Sequence, residues 1–154
     1  MIKKVINVLG VLTVFVLATA CGSGGNQEQA EESAPESMVK SDEEAYVFFV
    51  SPQDGATVQS PFKVQMGVSG MQVEPAGKVN EGYGHHHLII DGSFAEKGVV
   101  VPADSTHIHY GKGQTTTGDI VLTPGKHTLT LQFADGVHAS YGESLSKTIE
   151  ITVE

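Results

Sequence analysis

Histidines are the residues whose types and spacing could support chemistry in this sequence. Five of the seven histidines fall between His85 and His109. Three are consecutive, at His85, His86 and His87, and His107 forms a His-x-His pair with His109. Imidazole nitrogens are common protein ligands of Zn²⁺ and Cu²⁺. The pattern therefore predicts a metal site built from histidine.

Both histidine groups have a spacing that suits a β-strand. The triplet runs directly into Leu88-Ile89-Ile90, so it should open a strand with His85 and His87 on one face and His86 on the other. Two residues at i and i+2 of a strand lie about 6.5–7 Å apart, and their rings can converge on one ion. If the two segments are neighbours, four imidazoles can meet. The candidate ligands are then His85, His87, His107 and His109.

Six further residues could complete or support such a site. Imidazoles can add ligands, and carboxylates can bind the ion directly or hydrogen-bond a ligating ring and fix its orientation. These residues are His86, His127, His138, Asp91, Asp104 and Glu81. Which of them contribute depends on the fold.

Two other interpretations of the histidines stay open. The triplet could be a packed, hydrogen-bonded cluster, since the glycines around it favour tight turns. The histidines could also sense pH, because imidazole titrates near pH 6.5 and neighbouring cationic rings repel one another. A metal-dependent enzyme has less support, because the chain lacks His-Glu-x-x-His and Gly-x-Ser-x-Gly.

The N-terminal segment has the features of a bacterial lipoprotein signal. Lys3 and Lys4 precede a run of 16 mostly apolar residues, 5–20, which is short for a membrane span of about 20 residues. Small residues then precede Cys21, the single cysteine of the chain. This resembles a lipobox, which implies cleavage before Cys21 and attachment of lipid to its sulfur. Residues 1–20 are therefore predicted to be a signal peptide, and the mature protein to be anchored at a membrane.

Residues 21–45 are predicted to be the lipidated cysteine followed by an acidic, disordered linker. Seven acidic residues and one Lys give residues 22–45 a charge of −6, and apolar residues are almost absent. Such a segment cannot bury enough surface to offset its ordering entropy. The whole chain has a charge of −9 and no Arg, which argues against a nucleic-acid partner.

Residues 46–154 are predicted to form one all-β domain. A run of β-branched and aromatic residues indicates a strand at 46–50, and alternating apolar and polar residues indicate strands at 62–68, 129–133 and 148–153. Weaker strands fit at 86–90, 99–101 and 119–122. Pro-x-Asp-Gly, Pro-Gly and Asp-Gly sequences mark turns between them. About seven short strands favour an immunoglobulin-like β-sandwich, with a jelly roll as the alternative.

The domain also resembles a family of small secreted bacterial domains of unknown function. The motifs are Ser51-Pro-x-Asp-Gly-x-Thr-Val58, Gly84-His-His-His-Leu-x-Ile-Asp91, Pro102-Ala-Asp-x-x-His107-x-His109-x-Gly-x-Gly-Gln-Thr115 and Pro124-Gly-x-His127-Thr-Leu129. The resemblance implies a β-sandwich in the cell envelope with no established activity. It also implies a second histidine three residues after His138, where this chain has Tyr141.

The sequence as a whole predicts a lipid-anchored, extracytoplasmic binding protein of the cell envelope. Its ligand would be Zn²⁺ or Cu²⁺, held by the histidine cluster. In a cell with two membranes it would lie in the periplasm or at the outer membrane. The alternative is a non-metal interaction or structural module that holds an envelope protein or a polysaccharide.

Overall fold

The computed structural model of the protein describes residues 44–154. The predicted signal peptide, the lipidated cysteine and nearly all of the acidic linker lie outside these residues. Eight strands form the domain: β1 (Tyr46–Ser51), β2 (Ala56–Val58), β3 (Gln65–Ser69), β4 (Gln72–Val73), β5 (Tyr83–Ile90), β6 (His107–His109), β7 (Gly125–Ala134) and β8 (Ser146–Val153). The single described helix is the 3₁₀ turn Glu143–Leu145, and no helix in residues 44–154 has the length and hydropathy to cross a bilayer.

The strands form two sheets. The larger sheet has the order β2-β8-β7-β5-β4, and the short strand β6 also pairs with β5. The smaller sheet contains β1 and β3, and residues 115–120 extend it through backbone hydrogen bonds to 62–66. The expectation of an all-β sandwich of about seven strands is confirmed.

The core lies between the two sheets and follows from the alternation of side chains along each strand. Val47 and Phe49 on β1 and Met66 on β3 face Leu131 and Phe133 on β7, and all five are buried. Alternate residues of a strand point to opposite faces, so the apolar positions of each strand enter one core. Burial of this apolar surface is the main stabilising contribution to the fold.

Two of the weaker predicted strands are only single bridges in the structure. Residue Val100 pairs with Ala139, and Ile120 pairs with Phe62, each as an isolated bridge. Strand β5 begins at Tyr83, three residues before its predicted start. The additional length matters for function, because it places His85 inside a paired strand.

Candidate metal site

Strand β5 directs its histidines to both faces of the larger sheet. His86 opposes Phe133 on β7 and points into the core, where the two rings meet edge to face at 5.0 Å. His85 opposes Ala134 and His87 opposes Gln132, on the outer face of the sheet. The predicted separation of His85 and His87 from His86 is confirmed, and it follows directly from strand alternation.

The outer face is buried at this point because two loop segments cover it, and we call residues 92–101 and 138–145 the covering segments. The Gln132 side chain connects them: its oxygen accepts from the Ala95 amide at 3.1 Å, and its nitrogen donates to the Gly142 carbonyl at 3.1 Å. Their backbones also pair, since the Val101 amide donates to the His138 carbonyl at 2.9 Å. As a result, His85 and His87 are 0% exposed although they lie outside the main core.

Strand β6 brings a third histidine to the same face. His109 opposes His87 directly in the antiparallel β5–β6 pair, and directly opposed residues share a face of the sheet. Unlike His85 and His87, His109 is exposed. One nitrogen each from His85, His87 and His109 lies within 4.8 Å of the other two. The buried cluster of these three histidines could hold a metal ion.

The Nε2 atoms of the cluster face one another at short distances. The Nε2 atom of His85 lies 3.0 Å from Nε2 of His87 and 3.2 Å from Nε2 of His109. In a tetrahedral Zn²⁺ site with bonds of about 2.05 Å, two ligating nitrogens would be about 3.3 Å apart. The observed separations are close to that edge length.

Hydrogen bonding among neutral rings cannot satisfy this arrangement. Each Nε2 atom carries either one hydrogen or one lone pair, yet Nε2 of His85 has two imidazole neighbours. The Nδ1 atoms of His85 and His87 are buried and have no partner in residues 44–154. A cation between the rings would accept all the converging lone pairs at once, because a metal ion is a shared electron-pair acceptor.

The rings are neutral at physiological pH, which metal binding requires. Burial, together with the neighbouring His109 and His138, lowers the pKa of His85 to about 4. Burial and the other histidines of the cluster lower the pKa of His87 to about 3. Burial and His138 also lower the pKa of His109. The lone pairs are therefore available to an ion without prior loss of a proton.

His107, a predicted ligand, lies outside the group of three. Its ring is on the same face as His109, but its Nδ1 atom is 3.0 Å from Oδ1 of Asp104. That carboxylate oxygen also accepts from the backbone amides of Thr106 and His107 at 2.8 and 2.9 Å. These hydrogen bonds, the one from His107 foremost, hold the pKa of Asp104 well below its usual range. Asp104 thus orients His107 rather than a member of the cluster.

His127 and Asp91 form a separate pair at the end of β5. Nδ1 of His127 lies 2.8 Å from Oδ2 of Asp91, and its Nε2 atom lies 2.9 Å from the Thr123 carbonyl oxygen. Both neighbours are acceptors, so the protonated ring can donate from both nitrogens, and neither nitrogen is free for a metal. The hydrogen bond to Asp91 raises the pKa of His127. Partial burial raises the pKa of Asp91, but the hydrogen bonds from His127 and from the Thr128 amide, together with the charge of His127, outweigh it and lower the pKa overall.

The His127–Asp91 pair should give a bell-shaped contribution to stability. Because the pKa of His127 is raised, its protonation stabilises the fold below pH 6.5. This stabilisation is lost as pH rises through the pKa of His127 in the folded protein. Because the pKa of Asp91 is lowered, its ionised form stabilises the fold above pH 3.8. This stabilisation is lost as pH falls through the pKa of Asp91 in the folded protein. We expect Asp91→Asn to cost less than about 1 kcal/mol, because the Asp91 side chain is half exposed. Urea unfolding from pH 3 to 9 should show the largest difference between pH 4 and 6.5; a constant difference would contradict the charge pairing.

Two other predicted residues take no part in the cluster. His86 faces the core, and both of its ring nitrogens lack a partner in the described chain; burial and the charge of His85 lower its pKa to about 4. Glu81 lies instead beside a surface groove lined by Gly70, Met71, Gln72, Gly82 and Tyr83.

His138 contacts the cluster through His109, and Gly111 supports the cluster in a way that sequence reasoning missed. Nε2 of His138 lies 3.1 Å from Nε2 of His109. A Cβ atom at Gly111 would overlap Nε2 and Cε1 of the His109 ring, so this ring needs the space that only glycine leaves. Gly111 stands two residues after His109, and strand alternation does not by itself call for a glycine there. This spacing was the sequence signal that could have indicated its role.

The fold and the site together define a small β-sandwich domain with a largely buried cluster of imidazoles. A family profile, described as a domain of unknown function (DUF4399), matches residues 64–154. The chain belongs to this family, which confirms the predicted resemblance to a domain of unknown function.

Other comparisons add no functional information. No curated protein matches the chain. A solved structure, the endo-beta-1,4-mannanase from Thermotoga petrophila, is similar with 12% sequence identity and a TM-score of 0.44. The similarity covers 73% of this chain and 20% of the enzyme's chain. The chain therefore spans about a fifth of that enzyme, and the likeness carries no argument about function.

Proposed function

We propose that this domain binds Zn²⁺ or Cu²⁺ through His85, His87 and His109. The observation that carries the proposal is the convergence of their Nε2 atoms at 3.0 and 3.2 Å, with two of the rings fully buried. Ions that prefer oxygen, such as Ca²⁺ and Mg²⁺, are poor candidates for an all-imidazole site. Zn²⁺ and Cu²⁺ both accept imidazole readily.

We place this activity at the outer side of a membrane. The support is the sequence before the domain: a positive start, an apolar run at residues 5–20 and a lipobox-like ending at Cys21. A lipid on Cys21 and a linker at residues 22–45 would keep the domain near the membrane surface. With its only cysteine bound to lipid, the protein would have to bind metal with imidazole and carboxylate groups.

A non-metal interaction module is the second candidate, and one surface feature favours it. Tyr46, Phe48 and Val50 alternate along β1 and are 50%, 38% and 46% exposed. They form an apolar strip on the outer face of the smaller sheet, away from the histidines. Such a strip could contact an envelope protein or a polysaccharide.

Metal analysis of the full chain, purified without a histidine tag, tests the metal proposal. After incubation with Zn²⁺ or Cu²⁺ and dialysis, we expect about one ion per chain for the natural sequence. Replacing His85→Ala and His87→Ala together should remove the bound ion, because both buried ligands are lost. His127→Ala is the matched control, since this ring is a donor at both nitrogens. Equal metal content in all three proteins would rule the site out.

A further inference from the structure

His138 is close to the three clustered histidines but is supplied by a different part of the chain. Its ring centroid lies 4.6 Å from that of His109, 5.1 Å from His85 and 5.9 Å from His87. Its Nε2 atom faces Nε2 of His109 at 3.1 Å. It thus continues the series of facing Nε2 atoms that begins at His87 and passes through His85 and His109.

A tight turn after β7 presents this ring. Oδ1 of Asp135 accepts from the amides of Val137 and Ala139, both at 2.9 Å, and the His138 amide donates to the Asp135 carbonyl at 2.9 Å. His138 has φ 71°, in the left-handed region that few residues other than glycine adopt. An unfavourable backbone conformation held by its surroundings is typical of functional positions.

The four rings differ in their access to solvent. His85 and His87 are fully buried, whereas His109 is exposed and His138 is partly exposed. The exposure of His109 and His138 makes their side of the cluster the more open to solvent. A site that is closed on one side and open on the other suits reversible loading better than a permanently enclosed structural ion.

We propose that His138 is the fourth ligand of the metal site and that the ion is exchanged with solvent on the side formed by His109 and His138. This inference rests on the proposed function, since it assumes that the other three histidines bind an ion. It adds a ligand from an independently held turn, and it assigns the domain to metal acquisition or transfer rather than to structural metal binding.

Co²⁺ is a suitable probe, because its absorption is intense in four-coordinate tetrahedral sites and weak at higher coordination. His138→Asn removes the imidazole but keeps a residue that tolerates positive φ. Val137→Asn is the matched control: it places the same residue in the same turn, at a side chain that is 52% exposed. We expect His138→Asn to bind Co²⁺ about 100-fold more weakly and to lose the intense band, since even outer contacts of a metal ligand are worth 10–100-fold. Val137→Asn should match the natural chain.

The outcomes separate this inference from the proposed function. If the natural chain binds none of Co²⁺, Zn²⁺ and Cu²⁺, both fail. If it binds and His138→Asn has the same affinity and spectrum, the three-histidine site stands and His138 is not a ligand. His138→Gly, which also accepts positive φ, should behave like His138→Asn, and a difference between them would indicate a structural role.

Chelator competition tests the exchange. We expect EDTA to remove the ion from the folded chain much faster than the chain unfolds, with no change in its far-ultraviolet circular dichroism. His138→Asn should release the ion faster still. Release that occurs only at the rate of unfolding would show an enclosed structural ion and overturn the exchange.

Discussion

Gly111→Ala is expected to lower the affinity for Zn²⁺ or Cu²⁺ by about 10–100-fold without removing any ligand. The new methyl group would occupy the space of Nε2 and Cε1 of His109. The His109 ring is exposed and can rotate away from it, so the fold should tolerate the change. The backbone at Gly111 is outside the left-handed region, and alanine should therefore introduce no conformational strain. Titration calorimetry on the full chain measures the affinity.

Gly118→Ala is the control for this effect. Gly118 lies in the same connection between β6 and β7, has an ordinary φ, and a Cβ atom there would have no neighbour within 4 Å. Its substitution should leave both affinity and stability unchanged. If Gly111→Ala binds metal as tightly as Gly118→Ala, the position of the His109 ring does not matter for binding.

His86→Leu is expected to stabilise the metal-free protein by about 1–3 kcal/mol. His86 is 0% exposed, and neither ring nitrogen has a hydrogen-bond partner in residues 44–154. A neutral imidazole always has one N–H group and one lone pair, and each buried polar group without a partner costs about 1–3 kcal/mol. Leucine has a similar size and would pack against Phe133 without that cost. Thermal and urea unfolding at pH 7 measure the difference.

The same substitution at a histidine whose nitrogens are hydrogen-bonded should not raise the free energy of unfolding. In His127→Leu the hydrogen bonds to Asp91 and to the Thr123 carbonyl are lost, so we expect no gain or a small loss of stability. A loss of stability in His86→Leu comparable to that in His127→Leu would show that the buried ring of His86 is well satisfied in its present environment.

The main features of the fold were predictable because they depend on local alternation. The strands that became β7 and β8 carry apolar residues at every second position, and burial on one face of a sheet requires that pattern. Strand β1 was visible as a run of β-branched and aromatic residues. Strands β2 and β4 have three and two residues. Segments this short contain too few positions to show a period, and their pairing depends on distant neighbours.

Only half of the candidate site was predictable, because local alternation is visible in the sequence and long-range pairing is not. That His85 and His87 share a face follows from the sequence, whereas the pairing of β6 with β5 is a long-range contact with no local signal. The register of that pair sets His109 opposite His87. The Asp-Gly turn was visible, but the direction in which it points His138 is fixed only by the folded loop.

His107 shows that a spacing argument predicts the face on which a residue lies but not the contacts of its ring. The His-x-His pattern correctly puts His107 and His109 on one face. In the structure, the Asp104 carboxylate is hydrogen-bonded to Nδ1 of the His107 ring. Asp and Asn side chains commonly bind the backbone two or three residues on. The carboxylate three residues before His107 was therefore a sequence signal for a contact that orients the His107 ring through Nδ1.

The triplet in β5 links ion binding to the choice of strand register. A slip of β5 by one residue against β7 would exchange its faces, placing His86 on the outer face and His85 and His87 against Phe133 and Leu131. The slipped sheet would have one imidazole of the triplet on its outer face, whereas the native sheet has two. An ion that needs two adjacent imidazoles would bind only the native alignment. The bound metal would then select one pairing of these strands over its nearest competitor during folding.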